Sequence, residues 1–128
     1  MYKAIITTLA VTALSLTYTG VAAETVTFNC KYDNYSDQEG RHKLNKEFKM
    51  SFILDTQDGK AFITGNLGSE PVTPIIGDST ATFIEVTNTK NVMSTSITID
   101  TGESVHSRHT VMVGQLYPSQ YYGTCKIL

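Results

Sequence analysis

The sequence predicts an all-β domain, a small antiparallel up-and-down barrel of about eight strands, with a two-sheet β-sandwich as the alternative. Three observations predict it. Apolar and polar residues alternate with the period of a half-buried strand, and no convincing helical stretch is found. Turn signals recur roughly every ten to thirteen residues, as sandwiches and barrels require. Finally, Cys30 and Cys125 fall in the first and last predicted strands.

Residues 1–23 are predicted to be a cleaved signal peptide. Lys3 supplies a positive start, 4–16 is an apolar run, and 21–23 places small residues at the cleavage site. The run is too short to cross about 30 Å of hydrocarbon comfortably. Residues 24–128 are then one exported domain, periplasmic or extracellular, without a membrane span.

Composition restricts the partners of this chain. Its formal net charge is −2 and it has no basic cluster, so the electrostatic attraction that drives nucleic-acid binding is missing. An even pair of cysteines in an exported protein predicts a disulfide, here between Cys30 and Cys125. On the chain-entropy account, that bond stabilises the domain by roughly 4–5 kcal/mol. No cofactor is predicted.

The first half of the chain gives three strands. Val26–Tyr32 alternates cleanly, Asp33–Asn45 is polar and is predicted to be a loop, and Phe48–Leu54 alternates again. Asp58-Gly59 supplies the positive φ angles of a tight hairpin, so Lys60–Thr64 is expected to pair with the strand before it.

The second half gives five strands separated by turn residues. Two prolines in the first of them remove ladder donors, so that strand is expected at an edge or beside a bulge. An even number of hairpin-connected strands leaves the first and last antiparallel and free to pair. The five predicted strands are Pro71–Ile76, Thr80–Thr87, Val92–Asp100, Ser104–Val113 and Gln120–Ile127, with a turn over Gly114–Ser119 before the last.

Large apolar side chains on the predicted inner faces are sufficient to fill an eight-stranded barrel, which argues against a roomy cavity. The inward candidates are Phe48, Met50, Phe52, Leu54, Phe83 and Ile97. On the strand Ser104–Val113 the more apolar face is expected to point inward. That face carries Val105, Ser107, His109, Val111 and Val113, which leaves His106, Arg108, Thr110 and Met112 outside unless a bulge exchanges the two sets.

Catalytic and metal sites are weakly supported. Ser107 and His109 could act as nucleophile and base, but their Cα atoms would be roughly 7 Å apart and no nucleophile elbow surrounds the serine. His106 and His109 lie on opposite faces of a strand and cannot easily share an ion. The acids of the loop Asp33–Asn45 do not follow a calcium-loop spacing. No metal and no catalytic residue are predicted.

Two groups of residues are candidates for binding. Arg108 either pairs with Glu85 on a neighbouring strand or offers its guanidinium to an anionic ligand. The tyrosine-rich segment Tyr117–Tyr122 either forms a recognition patch or caps the barrel end, and one of Tyr121 and Tyr122 must point outward. The full candidate set is His106, Arg108, His109, Tyr117, Ser119, Gln120, Tyr121, Tyr122 and Glu85.

The segments VTFNCKY and YYGTCKIL place one cysteine near each end of the domain. In outline, a small exported β-barrel closed in this way is similar to the periplasmic inhibitors of C-type lysozyme, and also to small lipocalin-type carriers. The Ser-Gly-x-x-Tyr inhibitory loop of the first family is not found, and neither is the glycine and aromatic signature of the second. No residue role is therefore carried over from either family.

The sequence thus favours a non-enzymatic binding protein, of which an inhibitor-like module is one form, that presents the region Ser104–Tyr122 to a protein or a small polar ligand. A lipocalin-like carrier of an apolar ligand is the first alternative. A hydrolase using His109, with Ser107 or Glu85, is the second.

Overall fold

The computed structural model describes residues 24–65 and 68–128, together with residue 15, so the predicted signal peptide lies almost wholly outside the described residues. The described chain forms eight strands that pair in chain order, all antiparallel, and the last pairs with the first to close a barrel. The strands are Thr25–Asp37 (β1), Gly40–Asp55 (β2), Ala61–Gly65 (β3), Gly68–Ile76 (β4), Thr80–Val86 (β5), Val92–Thr98 (β6), Glu103–Met112 (β7) and Gln115–Ile127 (β8). The predicted up-and-down barrel is confirmed, and the sandwich alternative is excluded.

The two cysteines join the first and last strands. Cys30 of β1 lies directly opposite Cys125 of β8 in the strand register, and the two form the predicted disulfide. Such a bond is compatible with an oxidising, exported location. Among the residues that the structure describes, no helix has the length and apolar character needed to cross a membrane.

The core fills the closed end of the barrel, near the start of β1 and the end of β8. Alternate residues of β2 point inward as predicted: Met50, Phe52 and Leu54 are buried, and Phe48 packs against them. Phe83 of β5 stacks on Phe52, with ring centroids 4.5 Å apart. These contacts confirm the inward set, since Ile97 is buried as well.

The prediction of a loop over Asp33–Asn45 is wrong. β1 and β2 continue through it as a two-stranded ribbon that turns at residues 38–39, after a register shift between Tyr32 and Asn34. β8 pairs with this part of β1 as far as Ser36, and Tyr35 stacks on Tyr121. Strand pairing and aromatic contacts thus hold a polar segment extended, although its composition alone is typical of a loop.

The prolines lie where the ladder does not need their missing donors. Pro71 pairs with β3 at a point before the pairing of β4 with β5 begins, and Pro74 pairs with β5 beyond the last pair with β3. Pro118 of β8 pairs with β7, whereas β1 joins β8 only from Gln120 onward. Each proline is therefore paired with a strand on one side only, which explains why it is tolerated inside a closed barrel.

The β7–β8 connection is shorter than predicted. Instead of a turn over Gly114–Ser119, a two-residue turn of Val113 and Gly114 joins strands that are paired up to Met112 and Gln115. Both turn residues have positive φ, 50° and 74°, as tight hairpin turns of the primed type require.

The barrel opens at the end where β1, β3, β5 and β7 end and β2, β4, β6 and β8 begin. Among the described residues, β3 pairs with β2 only between Ser51 and Leu54, so the upper part of β2, which precedes Ser51, has no partner in β3. A cavity of about 930 Å³ occupies this end. The expectation that large side chains leave no roomy cavity therefore holds for the closed end and is wrong for the open one.

Candidate functional site

The inner face of β7 is polar, and the predicted assignment of its two faces is wrong. Ser104 and His106 are buried, whereas His109, Val111 and Val113 are exposed. The register decides this, because His106 pairs with the inward Thr95 of β6. The buried polar atoms are tolerated inside because each has a hydrogen-bond partner.

Ser104 shows how the polar interior is satisfied. Its Oγ donates to the carbonyl oxygen of Ser96 at 3.0 Å, which leaves the Tyr32 hydroxyl to donate to the same Oγ at 2.9 Å. Burial raises the pKa of Tyr32 to about 12, with a smaller opposing effect of this hydrogen bond. Tyr32 therefore stays protonated and serves as a fixed donor.

His106 is a neutral imidazole with a defined tautomer. The Nε of Arg108 donates to its Nε2 at 3.1 Å, so Nε2 must be unprotonated. Nδ1 then carries the hydrogen and donates to Thr95 Oγ1 at 2.7 Å. Burial and the nearby charge of Arg108 lower the pKa of His106 to about 3. The imidazole thus acts as an acceptor that orients Arg108.

The guanidinium of Arg108 lies over two aromatic rings that pack against each other, with their centroids 5.4 Å apart. Its guanidinium carbon lies 4.8 Å from the ring centroid of Phe48 and 4.7 Å from that of Tyr121. With Nε bound to His106, the guanidinium contacts three side chains that also pack against one another, which restricts its position. The two terminal amino groups make no hydrogen bond with the described residues, and no carboxylate among them lies within 4.0 Å.

Arg108 lines the open cavity, whose charges balance. Three basic and three acidic residues line the cavity, with apolar groups such as Met50 and Ile63 between them. Glu47 and Lys49 belong to the outward set of β2, and their side chains pair with each other at 3.7 Å. An arginine that faces a cavity with free donors is the usual arrangement for binding a carboxylate or phosphate. The charged lining residues are Lys46, Lys49, Arg108, Glu47, Glu70 and Glu85.

Glu85 shares the cavity with Arg108 but does not contact it. In the strand register Glu85 pairs with Met93, and Met93 pairs with Arg108, so the two charges lie on one face with a strand between them. The predicted structural ion pair is therefore not formed. Burial raises the pKa of Glu85, Arg108 lowers it, and the like charge of Glu70 raises it.

The tyrosine-rich segment is divided between the two faces of β8. Tyr121 points inward against Arg108 and Tyr35, whereas Tyr122 points outward, where its hydroxyl bonds to Ser36 at 2.8 Å. The guanidinium of Arg41 covers the Tyr122 ring at 4.6 Å. The prediction that one of the two tyrosines faces outward is thus confirmed.

The other members of the segment do not reach the cavity lining. Tyr117 is 41% exposed near the ribbon tip, and its hydroxyl donates to Gln115 at 2.7 Å. Gln120 is exposed and accepts from Tyr122, while Ser119 pairs with Arg108 across the β7–β8 ladder. The predicted set is therefore not one surface: His106, Arg108, Tyr121 and Glu85 come together, and the rest lie outside.

Ser107 and His109 lie on the outer face of β7, away from the cavity. Since Glu85 points inward, His109 and Glu85 do not share a face, and the structure brings no base and acid together there. At the tip of the β1–β2 ribbon, ligand atoms of Asp37, Glu39 and His42 lie within 4.8 Å of one another. Internal bonds account for that proximity, because Asp37 Oδ1 pairs with His42 at 2.8 Å and accepts from the backbone N–H of Glu39.

Three residues of the site are not among the candidates that the sequence predicts. Phe48 was expected to be an ordinary core residue, and Thr95 and Glu70 gave no signal of their own. Their roles depend on cross-strand register, which a period-two pattern does not provide. Comparison of the chain with protein-family models, with curated proteins and with solved structures gives no match.

Proposed function

We propose that this protein is an exported, non-enzymatic binding protein that holds a small polar ligand by an anionic group in the open end of its barrel. The observation that carries the proposal is the state of Arg108. Its guanidinium is fixed by two rings and by His106, and its terminal amino groups have no partner among the described residues. A carboxylate or phosphate would supply the two acceptors that this fork matches.

Preorganisation supports the same function. A free arginine side chain loses about 2 kcal/mol of rotamer entropy when a ligand immobilises it. In this chain the rings of Phe48 and Tyr121 already hold the group in place, so that cost is met on folding. An apolar cargo fits less well, because it would remove water from the charged lining without replacing the lost hydrogen bonds.

A thermal-shift screen with small carboxylates and phosphates tests the proposal. A compound that binds the folded protein at a hundred times its Kd stabilises it by about 2.7 kcal/mol, which raises the melting temperature by several degrees. The rise should disappear in Arg108→Gln. Arg41→Gln is the matched control, because that arginine also lies over a tyrosine of β8 but is exposed and donates twice to Asn34.

Native mass spectrometry of the naturally secreted protein complements the screen by identifying any bound molecule. We expect a bound mass that contains a carboxylate or phosphate. An uncharged apolar cargo, a screen in which no anion raises the melting temperature, or a shift that survives Arg108→Gln would contradict the proposal.

A further inference from the structure

The cavity contains two opposite charges that do not meet. Arg108 and Glu85 line the same space and lie on the same inner face, yet no nitrogen–oxygen contact within 4.0 Å joins them. Both side chains are only partly exposed. A half-buried arginine and carboxylate that served the fold alone would be expected to contact each other, since separation leaves both partly desolvated without an opposite charge.

The register gives the scale of the gap. Glu85, Met93 and Arg108 are consecutive partners across β5, β6 and β7, so the Cα atoms of the two charged residues are about 10 Å apart, two strand spacings. Met93 lies between them and lines the cavity too. An apolar floor with a positive group at one side and a negative group at the other matches a short molecule with charged ends.

Glu70 extends the negative side. It lines the same cavity from β4, and its like charge is the smallest of the three influences on the pKa of Glu85, after burial and Arg108. A ligand with only an anionic group would bind Arg108 but would also be repelled by these two carboxylates. A ligand that also has a cationic group would neutralise both sides of the cavity.

We propose that the ligand is a zwitterion, such as an amino acid or a short peptide, whose anionic group binds Arg108 and whose ammonium binds Glu85 beside Glu70. This inference rests on the proposed function and adds the second half of the recognition. Arg108 takes the carboxylate through its two free amino groups, and Glu85 accepts hydrogen bonds from the ammonium. The apolar stem between the charged ends lies over Met93.

Isothermal titration with three matched probes tests the inference on the unaltered protein. The first probe is a series of ω-amino acids whose charged ends are roughly 4–10 Å apart, a range set by the strand spacing. The second and third are the straight-chain carboxylate and the straight-chain amine of each length. We expect the best zwitterion to bind about tenfold tighter or more than either single-charge probe, the effect of one added charge-assisted hydrogen bond.

Variants then assign each end. Glu85→Gln should weaken the zwitterion about tenfold while leaving the carboxylate probe as tight as before or tighter, because a repelling charge is removed. Arg108→Gln should weaken both. Glu103→Gln, which removes an exposed carboxylate at the start of β7, serves as the control and should change neither affinity.

The outcomes separate the two proposals. If the carboxylate binds as tightly as every zwitterion and Glu85→Gln does not weaken the zwitterions, the zwitterion inference is overturned while the anion-binding function stands. If no probe with an anionic group binds, or if Arg108→Gln leaves binding unchanged, both proposals are wrong. A preference for the amine alone would also overturn both.

Discussion

Acidification should destabilise the protein through His106, and the size of the effect follows from its surroundings. The imidazole is buried, with 1% of its surface exposed, and its pKa falls from 6.5 to about 3. Below pH 6.5 the imidazole of His106 binds a proton in the unfolded chain, whereas in the folded chain it binds one only near pH 3. The stability is therefore fully present above pH 6.5 and is lost as the pH falls toward 3. The loss amounts to about 2 kcal/mol between pH 7 and pH 5 and to roughly 4–5 kcal/mol in total.

Urea unfolding at pH 7 and pH 5 measures this directly. The test compares the unaltered protein with His106→Gln, which cannot take up the proton. All other titrating groups are the same in the two proteins, so the difference between them reports on His106. Between pH 7 and pH 5 we expect the unaltered protein to lose about 2 kcal/mol more unfolding free energy than His106→Gln does. His109→Gln, which removes an exposed imidazole from the opposite face of β7, should keep a constant difference. Equal losses in the unaltered protein and in His106→Gln would refute the assignment of a buried neutral imidazole.

Three further predictions concern stability. Replacing Cys30 and Cys125 together by alanine should lower the unfolding free energy by about 2–5 kcal/mol in urea titrations, since the bond joins the first and last strands. Val113→Asn should stabilise the protein by about 1 kcal/mol and so raise its melting temperature, because a β-branched residue is strained at φ 50° and asparagine is not. An unchanged or lower melting temperature would show that Val113 is not strained in this turn. Gly123→Ala should cost about 1–3 kcal/mol, because the added Cβ would overlap a carbonyl of β1. Gly65→Ala is its control, because its added Cβ meets no atom of the described residues within 4 Å, and equal effects would contradict the close approach of β8 to β1 at Gly123.

The barrel was predictable because its signals are local. A period of two, turn residues at regular intervals and a cysteine in each terminal strand do not depend on which strands lie opposite. The buried alternation of Met50, Phe52 and Leu54 follows directly from such a pattern. The disulfide was predictable for the same reason, since an even strand count brings the first and last strands together.

The site was harder to predict because it depends on register and on hydrogen bonds. On β7 the apolar Val111 is exposed, as is Val113 in the turn that follows, whereas Ser104 and His106 are buried with partners on other strands. A pattern that counts apolar residues per face therefore selects the wrong face. The cavity escaped prediction because side-chain volumes do not reveal that the upper part of β2 lacks a β3 partner.

The most direct test of the central claim is the NMR response of the guanidinium N–H groups of Arg108 to added acetate and inorganic phosphate. The chain has only two arginines, Arg41 and Arg108, so their signals can be assigned by substitution. We predict a saturable shift of the Arg108 signals while those of Arg41, already bonded to Asn34, stay in place. Silent Arg108 signals, or equal and unsaturable shifts at both arginines, would contradict an anion site in the barrel.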